Sequence, residues 1–130
     1  MKLLTKELRR KIPMLYSQEN NPDPMVVCKF FIPWAGWTWF SIEASARYEE
    51  DGEVKYAPLK DADESWDVLF FGWVCGQENE LGYFTLSQLL SVRGPGRIGV
   101  ERDMYFMPRP LSKVKEDHRK HGAACSIGWL

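Results

Sequence analysis

Apolar residues alternate with polar ones over short runs through the middle of the chain and recur at helical spacing only towards its ends. Leu4, Leu8 and Ile12 recur every four residues, Thr5 suits a helix cap and Pro13 ends the pattern, so Leu3 to Lys11 reads as a short helix. The run Asn20-Asn21-Pro22-Asp23-Pro24 is loop chemistry. From Met25 to Ile32 the alternation is that of a strand, with Val26, Cys28, Phe30 and Ile32 on one face. Pro33-Trp34-Ala35-Gly36 then turns the chain into a return strand from Trp37 to Ala44. That strand carries Thr38, Phe40, Ile42 and Ala44 on one face and Trp37, Trp39, Ser41 and Glu43 on the other.

Residues 45–66 are the least patterned part. Asp51-Gly52 signals a turn, Val54-Lys55-Tyr56 a short strand after it, and Asp61 to Glu64 a polar turn. Asp67 to Cys75 is apolar on both faces, as expected of a strand covered on two sides, and supplies the leading core residues. Thr85-Leu86-Ser87-Gln88 has capping-box spacing ahead of Leu89 and Leu90. Arg93-Gly94-Pro95-Gly96-Arg97 is a loop, Met104 to Met107 suggests a last strand, and Ser112 to Lys120 a polar helix. Strands grouped in hairpins predict an α+β fold with a small, mainly antiparallel sheet. Its short helices lie at the N-terminus, after the central strand and near the C-terminus. Residues 1–116 are expected to form a single domain and residues 117–130 a C-terminal extension.

Composition narrows the class without naming an activity. The 130 residues, 45% hydrophobic and 27% charged, suit one globular domain and exclude a disordered or collagen-like chain. No stretch is long and uncharged enough for a transmembrane helix, and the charged start does not resemble a secretory signal. Cys28, Cys75 and Cys125, an odd number without paired spacing, suggest reduced thiols in a cytoplasm, and the lack of a spanning stretch leads to an expectation of no membrane association. The net charge of −1 conceals segregation. Residues 1–11 are net +4, residues 43–67 net −6 and residues 93–120 net +4. Solvated helices and a solvated loop account for that distribution, and so does steering of a charged partner.

Motifs that carry chemistry are sparse. His118, His121 and Cys125 have helical spacing for soft metal ligands, but a fourth ligand is missing nearby and Gly122 suits a helix end. They read as surface residues of a tail. Asp23 with Glu53-Val54-Lys55 has the letters of a Mg²⁺-dependent nuclease, yet Asp23 falls in a Pro-flanked loop and Glu53 beside a turn. Glu101 with Asp103, and Glu78 with Glu80, are spaced to share one side of a strand; exposed charge is the plainer account of each pair. No phosphate loop, HExxH or nucleophile elbow occurs, and neither a catalytic residue nor a cofactor is assigned.

Aromatic residues are the remaining signal. Phe30, Phe31, Trp34, Trp37, Trp39 and Phe40 crowd into eleven positions, and Trp37 and Trp39 share one side of their strand. Either the two rings are buried under helices or they form a displayed platform. Beside Arg93, Arg97 and Arg102, a displayed pair would stack bases or grip a protein.

Several stretches also resemble a known family. They are Met1-Lys2-Leu3-Leu4-Thr5-Lys6-Glu7-Leu8, Gly36-Trp37-Thr38-Trp39, Glu80-Leu81-Gly82-Tyr83-Phe84-Thr85-Leu86-Ser87, Val92-Arg93-Gly94 and Val100-Glu101-Arg102-Asp103-Met104-Tyr105-Phe106. In this order they resemble the bacterial and plasmid-borne family catalogued as domain of unknown function 2958, up to about Lys115. The resemblance implies a small cytoplasmic protein, often borne on mobile elements, with no assigned activity or site residues. The expectation is therefore a non-enzymatic accessory protein that recognises a protein or nucleic acid through Trp37, Trp39, Arg93, Arg97 and Arg102. The alternative is a small metal-dependent nucleic-acid enzyme using Glu101 and Asp103.

Overall fold

The computed structural model describes residues 2–126, with side chains through residue 120. In chain order the elements are α1 (Lys6–Lys11), β1 (Met25–Val26), β2 (Cys28–Phe31), β3 (Thr38–Glu50), β4 (Glu53–Ala57), β5 (Asp67–Cys75), β6 (Asn79–Thr85), α2 (Leu86–Ser91), β7 (Glu101–Arg102), β8 (Arg109–Pro110) and α3 (Leu111–Ser126). One sheet has the spatial order β6-β5-β3-β2-β7, with β4 pairing the far end of β3, while β1 and β8 form a ladder of their own. Every pairing is antiparallel, and the fold is α+β as its patterning predicts.

Local chemistry sets most boundaries. The Thr5 hydroxyl accepts the Leu8 N–H at 3.2 Å and caps α1. Thr85 and Gln88 complete both halves of the capping box that starts α2. Asp51 and Gly52, at φ 53° and 80°, form the left-handed two-residue turn that the β3–β4 hairpin requires. The segment after Ala44 is therefore not irregular: β3 runs on to Glu50.

Two irregularities redistribute the strand faces. The β3–β5 pairing passes from Ser41↔Gly72 to Glu43↔Phe71, so Ile42 is an extra, bulged residue. Ala44 thereby packs with Trp39 instead of with Phe40 and Ile42, reversing the simple alternation. Val27 likewise breaks the run from Met25 to Ile32, its N–H donating to the Ser41 carbonyl at 2.8 Å. Val26 turns to the opposite core from Cys28 and Phe30.

The sheet separates two cores. On one face Phe30, Phe70, Phe84 and Trp39 pack with Leu3, Leu4, Ile12, Leu59 and Leu89; Phe70 stacks on Phe84 at 5.0 Å and meets Phe30 edge-on at 5.5 Å. On the other, Phe40, Ile42, Trp73 and Cys75 pack under Val26, Leu111 and Val114. β5 is interior to the sheet, as its two apolar faces predict.

Three expectations need correction. Residues Met104 to Met107 are not a strand: the Asp103 carboxylate accepts the Tyr105 N–H at 2.9 Å and its carbonyl accepts Phe106 N–H, turning the chain outward. Met104, Tyr105 and Met107 are consequently exposed. The short strands lie to either side, at β7 and β8. Strand β6, which no turn motif announces, follows a three-residue turn after β5. Finally, α3 is longer than the Ser112 to Lys120 pattern, and its cap is remote: the Asp23 carboxylate accepts the Ser112 N–H at 2.8 Å and its hydroxyl at 2.6 Å. The same two bonds hold the Asp23 carboxyl below its ordinary pKa.

Candidate binding surface

Trp37 and Trp39 meet at 6.4 Å with their rings tilted by 38°. Trp39, in the core cluster, also approaches Phe84 at 6.4 Å; Trp37 remains 37% exposed. The pair is thus neither wholly buried nor a free platform: one ring anchors the other at the surface. Trp37 lies so close to Gly76, in the β5–β6 turn, that a Cβ there would come within 2.4 Å of its ring. Beside the pair runs a groove of ≈ 410 Å³ lined by Ile32, Val74, Phe84, Leu89 and Val92. A second recess on the Trp37 side is bounded by Gln77, Glu78 and Glu80, so this end of the aromatic surface is acidic.

Two of the three arginines expected around the rings, Arg93 and Arg102, have other partners. The Arg93 guanidinium donates to the Leu90 and Val92 carbonyls, both at 2.6 Å, closing the end of α2. Arg102 pairs across β2 in a row that runs Arg102–Phe30–Trp39–Val74–Glu80. Two strand spacings therefore separate it from Trp39, or about 10 Å, and its guanidinium donates to the Lys2 and Leu3 carbonyls at 2.6 and 3.0 Å. Arg97 is exposed at φ 62° in the Gly-Pro-Gly loop. That loop docks on Trp34, whose indole N–H donates to the Ile98 carbonyl at 2.9 Å. The two tryptophans are brought together; the three arginines are not gathered with them.

The opposite face of the same β6 edge carries a pocket that sequence reasoning missed. It encloses ≈ 430 Å³ between the loop after α1, the sheet and the start of α3, with Tyr16, Glu43, Phe71, Leu81, Tyr83 and Lys115 in its wall. The buried Glu43 carboxylate accepts the backbone N–H groups of Tyr16 and Gln18 at 3.1 and 2.6 Å. These bonds hold Tyr16 at φ 70°, unusual for a bulky residue. The Tyr83 phenol faces that of Tyr16, and this neighbour is the chief reason that its pKa is raised above the ordinary value. A sequence signal existed in the alternation of Leu81 and Tyr83 with Gly82 and Phe84, but without a turn motif such as Asn-Gly before it.

The other chemical candidates are dispersed or committed. Asp103 forms an ion pair with Lys29 at 3.4 Å, both largely buried. Asp23 caps α3, while Glu53 and Lys55 lie on β4. His118 sits on the inner side of α3, edge-on to Trp73 and Phe40 at 5.3 and 6.2 Å, rather than on a tail surface. Burial, with a smaller contribution from the Lys29 charge, lowers its pKa. The side chains of His121 and Cys125 lie outside the described residues. Among those described, no three His, Cys, Asp or Glu side chains cluster as metal ligands. Cys28 and Cys75 are free thiols raised to about 12 by burial, which suits packing and not nucleophilic chemistry.

No described helix is long and apolar enough to cross a membrane. A family model described as "Protein of unknown function (DUF2958)" matches residues 3–125. No curated protein and no solved structure matches the chain.

Proposed function

The chain belongs to this family of unknown function, and from that premise we propose that it is a binding module that takes up an extended segment of a protein partner along β6. The carrying observation is the position of that strand. β6 ends the sheet, no described strand pairs its outer side, and an apolar recess opens on each of its faces. An unpaired seven-residue edge offers a row of backbone donors and acceptors that a guest strand can complete. Successive guest side chains would then enter the Trp37–Trp39 groove and the Tyr16–Tyr83 pocket alternately, as the period of a strand dictates. Exposed Leu81 and Tyr83 supply the apolar contact. Glu78 and Glu80 at the rim favour a guest carrying Lys or Arg, and count against a phosphate backbone at this edge.

Selection from a library of displayed extended peptides tests this. The expected winners alternate apolar residues and carry at least one basic residue. Trp37→Ala should weaken the best of them at least tenfold, since truncating an aromatic anchor typically costs about 2 kcal/mol or more. Leu81→Pro, which blocks an edge-strand hydrogen bond, should do the same. Absence of any selected peptide, or binding indifferent to both changes, overturns the reading. Salt-sensitive quenching of tryptophan fluorescence by a single-stranded oligonucleotide would replace it with nucleic-acid recognition.

A further inference from the structure

The N-terminal cations have a feature that the β6 surface does not explain. Arg9, on α1, is 94% buried (6% exposed), and its Nε and Nη1 atoms are inaccessible and have no hydrogen-bond partner among the described residues. A guanidinium whose Nε and Nη1, three N–H bonds in all, are sealed and unpaired is a costly arrangement, and an anion admitted by a small shift of the side chains over them would relieve it. Arg9 lines a pocket of ≈ 290 Å³ between the end of α1 and the turn before β5, together with Arg10, Lys60, Ile12, Met14, Pro58 and Leu59.

Charge in the wall is of one sign. It contains three cations and no carboxylate. Two acids outside the wall are hydrogen-bonded to lysines, Glu7 to Lys11 at 2.9 Å and Glu64 to Lys2 at 3.0 Å, and Arg10 and Arg9 respectively add only smaller attractions to them. Both carboxyls are held below their ordinary pKa chiefly by those lysine hydrogen bonds. Arg9, Arg10 and Lys60 have no ion-pair partner among the described residues. The remaining wall is apolar, supplied by Ile12, Met14, Pro58 and Leu59.

We propose that this pocket binds a small phosphate monoester, its oxyanion taken by Arg9, Arg10 and Lys60 and its organic group resting on Ile12, Met14, Pro58 and Leu59. Arginine suits this role because its planar fork presents paired donors to phosphate oxygens. The volume sits at the small end of ligand pockets, room for a phosphate with one compact substituent. The site is independent of the β6 edge, and either assignment can fail alone.

Thermal unfolding of the full chain at constant ionic strength tests it, with inorganic phosphate and phenyl phosphate as probes against chloride. Phenyl phosphate and free phosphate share the oxyanion; a tighter response to phenyl phosphate identifies the monoester, and an equal response identifies free phosphate as the ligand and overturns the monoester assignment. At ten times the dissociation constant the midpoint should rise by on the order of 4 °C. The exposed pair Arg10→Gln/Lys60→Gln should fold normally and lose most of that rise. Arg9→Met should lose all of it, and the Arg9 Nε–H signal in ¹⁵N NMR of the wild type should shift on titration. Equal midpoints in phosphate and chloride, or a rise that survives Arg10→Gln/Lys60→Gln, overturns the proposal.

Discussion

The two faces of the main sheet are made from the same strands, one residue out of phase, yet they are built on different physics. The face bearing Phe30, Phe70 and Phe84 is an aromatic and aliphatic core closed by α1 and α2. The face bearing Phe40 and Trp73 mixes rings with charge: Lys29 and Glu43 are buried on it, His118 packs against it, and at the β6 end it opens into the Tyr16–Tyr83 pocket. Away from Arg9 at its α1 edge, the first, dry face supplies cohesion and can be read as area and shape. The mixed face depends on Lys29 and Glu43 keeping their partners, and both faces have room for a guest beside β6.

Three substitutions sharpen that contrast. The largest effect should come from the dry face, where Phe70→Ala removes a fully buried ring that stacks on Phe84 and meets Phe30 edge-on. A loss of about 3–5 kcal/mol is expected by denaturant unfolding with little change in m; a loss below about 1 kcal/mol would break the comparison. Next, on the mixed face, Lys29→Met strands the Asp103 carboxylate and should cost about 3 kcal/mol. Adding Asp103→Asn should recover more than half of it, a rescue with no counterpart at Phe70. The smallest effect is that of His118. Its folded pKa lies below the unfolded value, so the unfolded chain binds the extra proton and stability falls as pH drops below about 6.5. His118→Gln should flatten the stability slope between about pH 6.5 and 5 without changing the sign of the other effects.

How much of this was legible depended on whether neighbours or distant segments set the structure. The α1 and α2 caps, the Asp51-Gly52 turn and β5 follow from residues within a few positions of one another, and the sequence carried them. The bulge at Ile42 did not show, because extra residues leave no mark on an apolar run that continues past them. The Pro-flanked loop already spoke against Asp23 as a metal ligand, but nothing near it in sequence pointed to its partner Ser112, 89 positions away. The tryptophan pair was found by strand periodicity alone. The distribution of arginines was not, since proximity in sequence charge says nothing about which backbone carbonyls a guanidinium will cap. Glu43, unremarkable in sequence, gains its position only when the loop after α1 folds across it.

The remote cap on α3 also has a temporal side. During synthesis at about 5–20 residues per second, the nearly forty positions between Trp73 and Leu111 take roughly 2–8 s to add. Until then Phe40 and Trp73 lack the helix that shields them. A nascent chain paused in that interval would present a sticky aromatic surface with its cover still unmade, so the vulnerable interval in this protein's life lies between the synthesis of β5 and the docking of α3.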